Sequence, residues 1–198
     1  MNRFSIKGLK ANGIGPLDLE VAAGECVCLS GPSGSGKSLT MRALADLDPH
    51  EGELRIDDET SAVMSGPAWR KRVGMLPAES HWWYDTVKEH FPKNDGQYLT
   101  AVGFSDEAME WEVSRLSTGE KQRLALARLL ANEPDVMLLD EPTAALDKDN
   151  VARVEALIEE YRKQHGAAVI WVSHDPEQIA RVSGRQFRLE KGRWQEAK

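Results

Sequence analysis

The chain has 198 residues, 41% hydrophobic and 29% charged, with a net charge of −7. That is the make-up of one globular domain with a sizeable core, and the acid excess argues against nucleic acid as its main partner, because binding a phosphate backbone calls for a basic face. No apolar run approaches the about 18–20 residues that span a bilayer, and the opening MNRFSIKGLKANG has no apolar leader, so a place in the cytoplasm or on the cytoplasmic face of a membrane is expected.

In chain order, strand-like runs appear at ECVCLS (25–30), ELRID (53–57), RVGML (72–76), DVMLLD (135–140), AAVIWVS (167–173) and RQFRLE (185–190). Several are almost wholly apolar, as strands covered on both faces are. Cys26 and Cys28 share one face of the first run and read as buried free thiols. Helical patterns alternate with the strands. SLTMRALADL (38–47) is one. DNVARVEALIEEYRKQH (149–165) is another, with Val151, Val154, Leu157, Ile158 and Tyr161 on one stripe and Gly166 as its stop. The alternation predicts an α/β fold around a mainly parallel sheet. Residues 79–116 lack strand runs and read as a small, polar, helical insertion.

The chemistry begins at GPSGSGKS, from Gly31 through Pro32, Ser33, Gly34, Ser35, Gly36 and Lys37 to Ser38. The spacing is that of a phosphate-binding loop, and it sits between a strand and a helix as such a loop must. Glycines let backbone N–H groups converge on phosphate oxygens, and the following helix points its positive end at the same anion. Lys37 adds a mobile charge for the β- and γ-phosphates, and Ser38 offers a hydroxyl to Mg²⁺. A Gly/Ser-rich loop with a chance lysine would not demand that context. DVMLLDE (135–141) ends a buried strand in two carboxylates. Asp140 is suited to Mg²⁺, held through water, and Glu141 to polarising an attacking water as general base. These features together predict a nucleoside triphosphatase with a P-loop core.

LSTGEKQRLALARLL (116–130) narrows the class. Ser117 and Glu120 form an S-x-x-E capping box at the start of an amphipathic helix. The stretch also resembles the LSGGQ-type signature of ATP-binding cassette (ABC) ATPases, with Thr118 and Glu120 as departures. EPTAALD (141–147) resembles that family's D-loop, and WVSHD (171–175) resembles its switch-histidine segment, placing His174 at the end of a late strand. The resemblance runs from about Gly24 to Val182 in the family's order of motifs. It implies one cassette domain over 1–198, with residues 1–78 and 117–198 forming the ATP-binding core. The core carries a small antiparallel β part, and residues 79–116 form a helical subdomain leading to the signature. It implies ATP and Mg²⁺ as cofactors and a separate transmembrane permease as partner. Two cassettes would pair head to tail, so that Ser117, Gly119 and Glu120 of one face the nucleotide held by residues 31–38 of the other. Lys37, Glu141 and His174 would be the catalytic set.

Three departures follow from the same comparison. KANGIGPLDL (10–19) lacks the aromatic residue on which adenine stacks in most relatives. Ala78 stands where relatives carry a metal-sensing glutamine, which leaves Glu79 as a substitute, water filling the gap, or a weakened Mg²⁺ contact with no replacement. Trp82, Trp83 and Tyr84 follow, three adjacent aromatics that cannot all face one core. The family's equivalent region docks the permease. Two other readings stay open at this point: a cassette ATPase not coupled to transport, and a nucleotide switch with little turnover.

Overall fold

The structure is a computed structural model and describes residues 2–91 and 96–197. In chain order it contains β1 (Asn2–Ala11), β2 (Ile14–Ala22), β3 (Cys26–Ser30), α1 (Lys37–Leu44), β4 (Glu51–Ile56), β5 (Glu59–Thr60), α2 (Gly66–Arg72) and β6 (Val73–Leu76). After the middle segment come α3 (Thr118–Leu130), β7 (Val136–Asp140), α4 (Lys148–His165), β8 (Ala168–Val172), α5 (Pro176–Val182), β9 (Arg185–Glu190) and β10 (Arg193–Glu196). The six runs read from the sequence are β3, β4, β6, β7, β8 and β9. β1, β2, β5, β10, α2 and α5 were not among the patterns read.

The central sheet has six strands in the order β10-β9-β3-β8-β7-β6. All neighbours are parallel except the β9–β10 hairpin. Every residue of β7 and β8 is buried, because helices or the second sheet cover both faces. Alternation along the strands divides the core. Val27, Leu29, Leu138 and Ile170 face one way and pack with α1, α2 and a four-stranded antiparallel sheet of order β2-β1-β4-β5. Cys26, Cys28, Met137, Leu139, Val169 and Trp171 face the other way, toward α3 and α4. Both cysteines are buried and free, as their spacing implied.

β1 escaped the periodicity reading for a physical reason. Phe4 and Ile6 alternate, but a register shift between Ile6 and Leu9 breaks the period of two that marks a half-buried strand. A half-buried ion cluster ties β1, β5 and α2 to the residue that precedes β7. Arg72 bonds Asp135 at 2.6 Å and Glu59 at 2.7 Å, and Arg3 bonds Asp57 at 2.8 Å and Asp135 at 3.2 Å.

The helical insertion expected over 79–116 takes the form of short 3₁₀ turns, at Lys88–His90, Asp106–Glu110 and Val113–Arg115, with no α-helix among the described residues. Residues 92–95 lie outside the described residues. Val87, Leu99, Val102, Ala108 and Val113 each drop one side chain into the core from a turn rather than recurring at the 3.6-residue spacing of a helix face. One antiparallel bridge, Thr86 to Glu112, closes the segment on itself. No helix among the described residues is long and apolar enough to cross a membrane.

Candidate active site

Parallel strands deliver their carboxyl ends to one edge, where an open α/β sheet places its ligands. Five connections leave that edge among the described residues, and besides the β9–β10 turn there are four. β3 runs into residues 31–36, β6 into Pro77 and Ala78, β7 into Glu141, and β8 into Ser173 and His174. The register aligns them, with Leu29 opposite Val172 and Asp140 opposite Val172.

The loop after β3 bends in ways that require glycine. Gly31 has φ 147°, and a Cβ there would lie 2.3 Å from the carbonyl oxygen of Leu189. Gly36 has φ 100°, and its Cβ would meet Ile14 Cδ1 at 2.3 Å. β9 and β2 therefore press on the loop from behind. The β9–β10 turn is joined to the same place, with the N–H of Gly15 donating to the carbonyl of Gly192 at 2.7 Å. Lys37 is buried, and its Nζ donates to the carbonyls of Gly31 at 3.0 Å and Pro32 at 3.1 Å. Pro32, Ser33, Gly34 and Ser38 are exposed around it. The loop thus gathers an ammonium, an exposed hydroxyl and glycine backbone at the N-terminus of α1, a set that suits a polyphosphate.

Asp140 ends β7 with 4% exposure, and its carboxylate makes no hydrogen bond or ion pair with the described residues. A carboxylate at a strand's carboxyl end that no protein group engages is suited to holding a cation. Ser38, an exposed hydroxyl at the start of α1, is the second oxygen donor predicted for a divalent metal. These two hard oxygen donors fit Mg²⁺, which keeps much of its water and takes few protein ligands.

Glu141 follows with φ 49°, a left-handed backbone that turns its side chain out of the strand direction. Its Oε1 lies 3.0 Å from Nε2 of His174. The structure thus joins two of the three predicted catalytic residues directly. Both line a cavity of about 270 Å³ together with Thr143, Ser173, Asp175 and Gln178.

Sequence reasoning missed the support behind that pair. Gln178 of α5 is 5% exposed and accepts from Ser173 Oγ at 2.8 Å. Its amide nitrogen donates to Thr143 Oγ1 and to Glu155, each at 2.9 Å. One side chain therefore fastens the end of β7, the end of β8 and α4 together. The signal was present as Thr143 inside EPTAALD and Ser173 inside WVSHD, polar residues next to the charged ones.

Residues 117–120 form the predicted capping box. Glu120 N–H donates to Ser117 Oγ at 3.3 Å, while the Ser117 N–H and hydroxyl donate to Glu120 Oε2 at 2.9 and 2.7 Å. Those donors hold the Glu120 carboxyl below the usual carboxylate range. Gly119 packs on the D-loop, where a Cβ would lie 3.0 Å from the carbonyl of Ala145. No hydrogen bond or ion pair links residues 117–120 to residues 31–38 within the described chain. Ala78 and Glu79 are exposed. The loop they occupy is held instead by Gln122, whose amide donates to the Pro77 carbonyl at 3.0 Å.

Trp82 is half-buried, while Trp83 is 63% and Tyr84 51% exposed. All three rings surround the imidazole of His90. The Arg128 guanidinium lies 4.6 Å from the Trp82 ring and 5.0 Å from that of Trp83. Burial pulls the Arg128 pKa down to about 10.

Comparison with known proteins identifies the family. The ABC transporter family profile matches residues 14–144. The chain is 37% identical over 186 residues to "Aliphatic sulfonates import ATP-binding protein SsuB 2" of Frankia alni, covering 91% of this chain and 72% of that one. Among solved structures it resembles a dimeric, post-hydrolysis state of the ATP-binding cassette MJ0796 bound to ADP and Pi. That match has a TM-score of 0.84 and 26% identity, covering 98% of each chain. It also resembles a bacterial Atm1-family ABC exporter with ATP bound, with a TM-score of 0.79 and 26% identity, over 96% of this chain and 37% of that one. The chain belongs to the ABC transporter family, as the ATP-binding and ATP-hydrolysing subunit of such a transporter.

Proposed function

We propose that two copies of this chain pair head to tail around two Mg·ATP, and that the closing and opening of the pair drives a separate transmembrane permease. The observation that carries the reading is the 3.0 Å contact of Glu141 with His174 at the same sheet edge as the phosphate loop. In this reading Lys37 exchanges its loop carbonyls for β- and γ-phosphate oxygens. Ser38 and Asp140 would hold Mg²⁺, which when bound would supply charge neutralisation to the phosphoryl group. His174 steers Glu141 and the γ-phosphate, and Glu141 takes a proton from the attacking water. Little bond chemistry is left to the protein, so positioning and electrostatics supply most of the rate.

Ser117 and Gly119 serve the partner's nucleotide. Gly119 lies in the first turn of a 13-residue helix, α3, whose N-terminus stabilises an anion, and in this reading the Ser117 hydroxyl exchanges Glu120 for the phosphate while its N–H stays in the cap. The absence of any link to the chain's own residues 31–38 agrees with a role across an interface. Glu120 takes part through its cap, which fixes the orientation of Ser117. The subdomain over 79–116 presents Trp83 and Tyr84 at its surface, and we assign this patch to docking the permease. The relatives' printed names include both an importer subunit and an exporter, so transport direction and cargo belong to the membrane partner.

The test is Glu141→Gln. Phosphate release should fall roughly 100-fold or more, the range of a lost general base. ATP binding should persist, and size-exclusion chromatography with ATP and Mg²⁺ should show a stable dimer. Full turnover, or a variant that stays monomeric with ATP, would refute the assignment.

A further inference from the structure

His90 is 6% exposed and sits inside the turn that carries the exposed aromatics. Its Nε2 faces two donors, the backbone N–H of Trp83 at 2.9 Å and of Tyr84 at 3.0 Å. Its Nδ1 faces an acceptor, the Thr86 carbonyl, at 2.9 Å. A ring nitrogen that meets two N–H groups must offer its lone pair. The partners therefore fix one form of the side chain, the neutral imidazole with its proton on Nδ1. The rings of Trp82, Trp83 and Tyr84 stand edge-on around it, at 4.8, 4.8 and 5.1 Å between centroids.

We infer that His90 is a proton-gated positioning residue: neutral, it pins the backbone of Trp83 and Tyr84, and protonation of Nε2 replaces its acceptor with a third N–H donor and frees that segment.

The charges around the ring favour the neutral form. Arg128, from α3, is the cation that faces it, and the nearby Glu89 carboxylate is already engaged by the Thr86 N–H at 3.0 Å and hydroxyl at 2.7 Å. Lys88 is paired with Glu110 at 2.6 Å. Burial, seconded by Arg128, lowers the His90 pKa from its usual value. The sign follows. A depressed histidine pKa means that order in the segment is complete above the unfolded value of about 6.5 and is lost as pH falls through the folded one. The consequence for the permease, docking that weakens on acidification, rests on the role assigned above to Trp83 and Tyr84. The gate itself does not.

Nitrogen NMR of the full isotope-labelled chain, titrated from pH 8 to pH 5, reads the gate without any permease. A failed docking experiment and a failed gate are therefore distinguishable. Expected are an Nδ1–H tautomer, a His90 midpoint below about 6.5, and Trp83 and Tyr84 amides whose protection falls about tenfold through that midpoint, as for one lost hydrogen bond. His90→Gln keeps an acceptor oxygen that does not titrate and should hold both amides at every pH. His90→Leu should lose their protection throughout. An Nε2–H tautomer, a midpoint at or above 6.5, or amides indifferent to the titration would each overturn the inference.

Discussion

The phosphate loop and the aromatic turn are both held against the central sheet, but by different means. Residues 31–36 are fixed by backbone shape: glycine conformations that other residues resist, and the Leu189 carbonyl and Ile14 pressing where side chains would stand. Residues 82–90 are fixed by one side chain, with His90 standing where a strand partner would be. Backbone shape is indifferent to pH and intolerant of added atoms. A single acceptor is the reverse. The active edge is thus built to stay rigid, and the patch assigned to docking is built to be released.

Gly31→Ala tests the rigid side hardest. Its Cβ would meet the Leu189 oxygen at 2.3 Å on a φ of 147°. A loss of about 2–4 kcal/mol in unfolding free energy is expected, together with most ATP binding, by chemical denaturation and nucleotide titration. A variant as stable as the parent would mean that the loop yields, and the contrast would fail. Gln178→Leu comes next. It leaves Thr143, Ser173 and Glu155 without a shared partner while sparing Glu141 and His174. About 1–3 kcal/mol should go, and phosphate release should drop about tenfold with the KM for ATP nearly unchanged, because the loss falls on transition-state alignment. A rise in KM alone would place Gln178 in nucleotide binding instead.

Trp83→Ala gives the smallest effect on the chain by itself. A ring 63% exposed should cost within about 0.5 kcal/mol, and ATPase activity should not change. Co-purification with the permease from detergent-solubilised membranes should weaken. Undiminished co-purification removes the docking role and leaves the turn as local packing only.

What could be read in advance divides along the same line. β7 and β8 are five-residue buried strands, and their apolar runs announced them. Asp140, Glu141 and His174 follow those runs immediately, so their place at one edge was legible. β1 was not, because its bulge breaks the alternation. Among the described residues, the segment expected to be helical over 79–116 holds 3₁₀ turns, since apolar residues set singly in a polar segment carry no period to read. His90 was invisible for another reason. Its partners are backbone amides six and seven residues away, and a backbone donor leaves no mark on the sequence. Gln178 lay beyond reach similarly, through contacts 35 residues apart with Thr143.

The backing of Gly31 by Leu189 has a consequence for synthesis. The nucleotide cradle occupies residues 31–38, yet the strand that props it, β9 at Arg185–Glu190, is synthesised long after it. β9 must pair with β3, from Val27 opposite Arg185 to Ser30 opposite Arg188, before the loop has its rear wall. A nascent chain therefore has the glycines of the loop long before it has the wall they press against, and the loop takes its final shape only once β9 has docked beside β3.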